Sequence, residues 1–241
     1  MSIETLVRAE VGRLLVTIVG HLELADAAKV RNRLMKCLAE QPEALLLDVS
    51  ALDVREPLAL AVFSTIARQA ERWPGIPVLL CAPRPSARQA LRLAAFRRLL
   101  VFASLEAARA KLDDDRRVRP SLSDELLPVC GAARQARDLA TDACLRWNLP
   151  HLIAPASLIA SELVSNVVDH AHTMMTLRLT LRHRYLYLSL RDGSPEPPRP
   201  APTNPASAGG RGLMLVKACA ASWDWLPCEG GKIVWAALRT A

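Results

Sequence analysis

Leu158–Ala171 reads LIASELVSNVVDHA. Leu158, Ile159, Leu163, Val164, Val167, Val168 and Ala171 recur at the spacing of one broad helical face, which predicts a helix over Pro155–His170. Glu162 and Asn166 stand four apart, so they lie one turn above the other on a single face. A carboxamide oxygen suits Mg²⁺, a cation that prefers oxygen ligands and retains part of its water and phosphate shell. A carboxylate beside it can take a proton from a hydroxyl or water that attacks a phosphate. The same pair also fits a solvated polar stripe, so the flanking sequence has to decide.

Downstream, Met174–Arg182 and Tyr185–Arg191 alternate apolar and polar residues, which predicts two antiparallel strands turning at His183-Arg184. The second strand ends in Asp192-Gly193-Ser194. Residues 195–208 are dense in proline, with Ser, Thr and Asn besides. They can form neither a helix nor an interior strand, and a long loop of this kind in a compact domain is often a lid. Gly209-Gly210-Arg211-Gly212 closes it and runs at once into a predicted helix, Leu213–Ala221. A glycine-rich entry into a helix presents free N–H groups and the positive end of the helix dipole, a natural phosphate site; glycines also serve plain turns. Asp192 can accept a hydrogen bond from an adenine amino group, with Gly193 allowing close approach; Asp-Gly-Ser is equally a turn sequence. Trp223–Pro227 and Ile233–Leu238 are predicted strands around Gly230-Gly231. Upstream, Gly131–Trp147 is predicted as a helix carrying Arg134, Arg137 and Arg146.

A Glu-x-x-x-Asn helix, a strand ending in Asp-Gly, a long loop and a glycine-rich helix start, in this order, resemble the GHKL (Bergerat-type) ATPase fold. Within it they are most similar to the anti-sigma factor serine kinases. The resemblance covers roughly residues 128–239, through ARDLATDACLRWNLP, ASELVSNVVDHA, TLRLTLRHRYLYLSLRDGSPEPP, GGRGLMLVKACAASWDW and GGKIVWAAL. There is no Walker-type GxxxxGK[ST]. The resemblance implies ATP and Mg²⁺ as cofactors, Asn166 as the magnesium ligand and Glu162 as general base toward an acceptor serine. It implies Asp192 for adenine, Gly193 shaping the adenine end, and Gly210, Arg211 and Gly212 in the lid and phosphate site. Arg137 matches a position near the family's partner-binding face; an exposed helix arginine is the plainer reading. The phosphate loop is shorter than the family pattern, with one glycine cluster preceded by prolines.

The first half alternates strands and helices, which predicts a sheet covered by helices. Leu14–Val19, Ala44–Val49, Val78–Cys81 and Leu99–Phe102 are predicted strands. Ala25–Leu38, Leu58–Trp73, Ser86–Ala95 and Leu105–Leu112 are predicted helices, the last capped by Ser104. This order, carried by VTIVGHLELADAAKVRNRL, LLLDVSALDVREPLALAVF and PVLLCAPRPSARQALRLAAFRRLLVFASLEAA, resembles the STAS domain of anti-sigma factor antagonists over nearly all of residues 10–112. One departure matters. Where the family carries a phosphorylatable serine at a helix start, this chain reads Glu56-Pro57-Leu58-Ala59 and offers no hydroxyl. A phosphoryl switch needs one. Glu56 is read as a carboxylate at the positive end of a helix, with imitation of a phosphate as the other reading. Neither Ser50 nor Ser64 is assigned as a substitute acceptor.

The expected architecture is therefore α/β in two domains: a STAS-like mixed sheet with helices over 1–115, a charged linker at 116–122, and a GHKL α/β sandwich over 123–241. Composition is compatible with this. The formal net charge of the 241 residues is +7. Residues 1–115 hold 16 Lys/Arg against 14 Asp/Glu and residues 116–241 hold 15 against 10, which places the excess mostly in the second half. No dense basic run interleaved with aromatics marks a nucleic-acid surface. Six scattered cysteines without CxxC read as free thiols in a reducing, cytoplasmic setting. No uncharged apolar run approaches the roughly 18–20 residues of a membrane span. The expected partners are a STAS-domain anti-sigma factor antagonist, a sigma factor or both, with neither nucleic acid nor membrane; kinase-type members often form a homodimer. The expected activity is phosphorylation of a serine on a separate STAS protein. The alternative is a nucleotide-gated binding module that transfers nothing.

Overall fold

The computed structural model describes residues 2–114, 120–198 and 212–241. It divides into two compact units, Met1–Arg117 and Val118–Ala241.

The N-terminal unit is a mixed sheet with helices. β1 (Glu4–Glu10) and β2 (Arg13–Leu22) form an antiparallel hairpin around Val11-Gly12. Four short strands follow in the chain: β3 (Ala44–Asp48), β4 (Leu52–Val54), β5 (Val78–Cys81) and β6 (Leu100–Phe102). β2 pairs in parallel with β3, β3 with β5 and β5 with β6. β4 adds in parallel to the far end of β2. Parallel neighbours need crossovers, and three helices supply them, α1 (Ala27–Ala39), α2 (Ala61–Arg72) and α3 (Pro85–Leu91), while α4 (Leu105–Asp114) follows the last strand. Alternation along β3 sends Ala44 and Leu46 into a cluster with Leu15, Leu79 and the α4 residue Ala108. Leu45 and Leu47 face the other way, and α1 and α2, packed on each other, bury Leu34, Leu38, Phe63 and Ile66. Ser104 caps α4 as expected, its Oγ accepting the Ala107 N–H at 3.2 Å.

The C-terminal unit is a five-stranded antiparallel sheet with helices. Its strands are β7 (Ser121–Leu126), β8 (Met175–Leu181), β9 (Tyr185–Asp192), β10 (Ser222–Cys228) and β11 (Gly231–Arg239), in the spatial order β10-β11-β9-β8-β7. α5 (Ala132–Arg146), α6 (Ile153–Asn166) and α7 (Gly212–Cys219) complete it. Leu177, Leu179, Leu186, Leu188, Leu190, Val234, Ala236 and Leu238 share one core with α5 and α6. The alanine stripe of α5 (Ala132, Ala136, Ala140, Ala143) lets it lie close to α6. The helical run Pro150–Ala171 is long and apolar enough to cross a membrane by length and composition alone. Its Ile159, Ala160, Leu163 and Val164 are spent in this core.

Three strands escape the sequence reading, and each has a reason. β1 has a weak pattern, with Leu6 61% exposed on it. β4 has three residues. β7 begins at Ser121, so the last two residues of the expected linker 116–122 are strand, and β7 also takes up the expected domain start at 123. Polar Ser121, Ser123, Asp124 and Glu125 hide this edge strand, whose register against β8 pairs Leu122 with Leu179 and Leu126 with Met175. The helix expected over 155–170 begins at Ile153 and ends as a π-helical turn, Val167–Ala171. Four of the six free cysteines are buried, while Cys130 and Cys219 are exposed.

Candidate functional site

The pleat determines which side chains meet. Leu186, Leu188 and Leu190 of β9 point to the helices, so Asp192 does too; Val234 and Ala236 of β11 do the same, and so does Lys232. Register places Lys232 directly opposite Asp192. Lys232 Nζ donates to Asp192 Oδ1 at 2.9 Å and to the Ser194 carbonyl at 3.3 Å. The Ser194 N–H donates to the same Oδ1 at 2.8 Å. Both charged side chains are buried, at 4% and 0% exposure. Asp192 Oδ2 is also buried and has no hydrogen-bond partner among the described residues. A buried carboxylate oxygen without a donor is costly, so its place is one for a donor from outside the fold.

Two glycines keep this corner tight. A Cβ on Gly231 would collide with the carbonyl oxygen of Asp192. The Gly193 N–H donates to Thr173 Oγ1 at 3.0 Å, which ties the end of β9 to the chain entering β8.

The second cluster belongs to α6 and α7, which pack together. A Cβ on Gly212 would stand 2.5 Å from Glu162 Oε2, so the carboxylate lies against the first residue of α7. The N–H of a first helical residue has no partner within its own helix. Asn166 lies one turn beyond Glu162, half-buried, at the last residue of α6 before the π turn. A π turn inside or at the end of a helix often marks a functional site.

Of the residues expected from sequence, the fold brings Glu162 to Gly212, and Asp192 and Gly193 to one corner. Gly210 and Arg211 lie outside the described residues. Arg137 is exposed on α5, off the alanine stripe. Sequence reasoning misses Lys232. Its signal is a lone charge opening the apolar run Ile233–Leu238, which reads only as a neighbour of the Gly230-Gly231 turn. Cysteine chemistry is not a competitor in the cores, because burial pushes the Cys37 thiol up to about 11 and that of Cys81 up to about 12.

Residues 2–108 match the family model of the STAS domain, and residues 129–238 match that of the histidine kinase-like ATPase domain. The chain joins one domain of each family. No curated protein matches it. Among solved structures it is similar to an anti-sigma factor antagonist from Mycobacterium paratuberculosis, at 22% identity over 47% of this chain and 96% of that one, TM-score 0.41. The anti-sigma factor antagonist SpoIIAA in its unphosphorylated form is 13% identical over 48% and 100%, TM-score 0.39. The RsbU and RsbW domains of Rv1364c from Mycobacterium tuberculosis are 20% identical over 50% of this chain and 32% of that one, TM-score 0.39.

A STAS domain joined to an ATPase domain of this type fits a partner-switching regulator of the anti-sigma factor kind, and the ATPase domain implies ATP as ligand. The donor set agrees with that ligand. The orphaned Asp192 Oδ2 suits a base amino group, and the start of α7 suits phosphate. In the STAS domain Glu56 has a structural bond: its Oε2 accepts the Leu24 N–H at 2.7 Å, joining the entry of α2 to the loop after β2.

Proposed function

We propose that the chain is a cytoplasmic protein-serine kinase of the anti-sigma factor type, acting on a serine of a separate STAS protein and binding that protein, a sigma factor or both. The observation that carries this reading is the buried carboxylate of Asp192 with one oxygen left for an external donor.

Bound in this site, MgATP supplies the phosphoryl group. The chain's own residues supply the rest. Asp192 accepts from the adenine amino group, and Gly193 leaves room at that end. The N–H groups at the start of α7, with Gly210, Arg211 and Gly212, hold the phosphates. Asn166 holds the magnesium ion through its amide oxygen. Glu162 takes the proton of the acceptor hydroxyl, and its place against Gly212 supports that role. Arg137, exposed on α5, faces the protein partner.

The tethered STAS domain is not the acceptor in this reading, because the stretch Glu56-Pro57-Leu58-Ala59 offers no hydroxyl and Glu56 is already bonded within the domain. Tethering still gives it a high effective concentration near the kinase, so it serves as a docking or competing module. The test is transfer of labelled phosphate from ATP to serine-bearing STAS proteins. The wild type is expected to label a partner, and Glu162→Gln to label it about 10²- to 10⁴-fold more slowly while still binding nucleotide. Binding without any transfer would instead support a nucleotide-gated module.

A further inference from the structure

The adenine-nucleotide reading leaves open what makes the site choose its base. We propose that Lys232 is the specificity-determining residue: it occupies one oxygen of Asp192 and offers a donor beside the other. The site then takes a base edge with an amino group next to a ring-nitrogen acceptor, which among the purines selects adenine over guanine or hypoxanthine.

The bonds around the pair carry the argument. Asp192 Oδ1 already accepts from Lys232 Nζ at 2.9 Å and from the Ser194 N–H at 2.8 Å. Among the described residues only Oδ2 has no donor, and as a carboxylate oxygen it accepts and cannot donate. The ligand must therefore bring a donor to Oδ2. An ammonium has three protons, and two of those on Lys232 have acceptors among the described residues, Asp192 Oδ1 and the Ser194 carbonyl. The third remains for a ligand acceptor next to the donor.

Adenine presents its amino group and ring nitrogen N1 side by side and meets both needs. Hypoxanthine puts a carbonyl where the amino group stands and turns two acceptors toward each other. Guanine can satisfy a carboxylate with two adjacent N–H donors, but that requires both oxygens, and Lys232 holds one. The cross-strand register of Lys232 and Asp192, both buried on the helix-facing side, keeps the pair from swinging out to release it.

The test compares ADP, 1-deaza-ADP (a C–H in place of N1), IDP and GDP binding to the full chain with magnesium. It rests on the adenine-nucleotide reading, and its outcomes separate the two. ADP is expected to bind tightest. 1-Deaza-ADP should be weaker by about 10- to 100-fold, as for the loss of one hydrogen bond to a charged donor, and IDP and GDP weaker still. In Lys232→Met the deaza penalty should fall to within about twofold. Equal affinity of ADP and 1-deaza-ADP for the wild type overturns the role of Lys232, as does an undiminished penalty in a folded Lys232→Met. If Lys232→Met does not fold, the wild-type ratio decides alone. A chain that binds none of the four overturns the nucleotide reading itself; one that binds ADP without discrimination overturns only the part assigned to Lys232.

Discussion

The carboxylate of Glu162 occupies the space that a side chain on Gly212 would need: a Cβ there would stand 2.5 Å from Oε2 and 3.6 Å from the Glu162 Cβ. The contact joins the middle of α6 to the first residue of α7. It gives Gly212 a reason to be glycine that owes nothing to backbone conformation. The far end of Glu162 is flexible, so an added methyl would push the carboxylate aside at little cost to the fold. Gly212→Ala is therefore expected to melt within about 1 kcal/mol of the wild type, since alanine is the better helix former. Phosphotransfer, if Glu162 is the base, should drop at least about tenfold. Thermal melts alongside the labelling assay check both parts. Full activity in the Gly212→Ala variant would remove Glu162 from the chemistry.

Gly231 answers to a harder neighbour. Its missing Cβ faces the backbone carbonyl of Asp192, which cannot rotate away. Gly231→Ala must part β9 from β11 at the site corner. The expected cost is about 1–3 kcal/mol of stability, as for overpacking in a core, together with weaker nucleotide binding because Asp192 moves. Denaturant unfolding and a nucleotide titration measure the two effects.

These glycines also show what the sequence could disclose. The α6 pattern, the Asp-Gly strand end and the glycine-rich helix start were legible because periodicity and glycine chemistry are local. The STAS order was legible because parallel strands need crossover helices. What stayed hidden was non-local or weakly patterned. Polar edge strand β7 carries no strand pattern and its first two residues read as linker, β1 leaves Leu6 exposed, and Lys232 gains its meaning only from the register that sets it against Asp192.

In the STAS domain, Glu56 bonds the Leu24 N–H across two loops. Glu56→Ala is expected to cost about 0.5–1.5 kcal/mol, the net worth of one such bond. Glu56→Gln retains an acceptor and should cost less. Denaturant unfolding of both variants checks this. Wild-type stability in the Glu56→Ala variant would leave Glu56 free to act as a charge alone.

Glu10 and Arg109 give the domain an acid-sensitive bond. The Arg109 guanidinium donates to both Glu10 oxygens, at 2.5 and 3.3 Å, and holds that carboxyl below its ordinary range against the opposing effect of burial, with Arg8 helping. A carboxyl with a lowered folded-state value stabilises fully above its unfolded value, about pH 4.3, and loses that contribution as pH falls through the folded value. Arg109→Met should therefore be less stable than the wild type at pH 7, with the gap closing below about pH 4. Unfolding curves from about pH 7 down to about pH 3 test the sign.

The most direct test of the central claim is calorimetric titration of ADP, with and without magnesium, into the full chain, Asp192→Ala and Asn166→Ala. The nucleotide-site account predicts binding by the wild type, loss of about tenfold or more in Asp192→Ala, and loss of the magnesium dependence in Asn166→Ala. A folded wild type that binds no adenine nucleotide, or an Asp192→Ala variant that binds as tightly as the wild type, would contradict it.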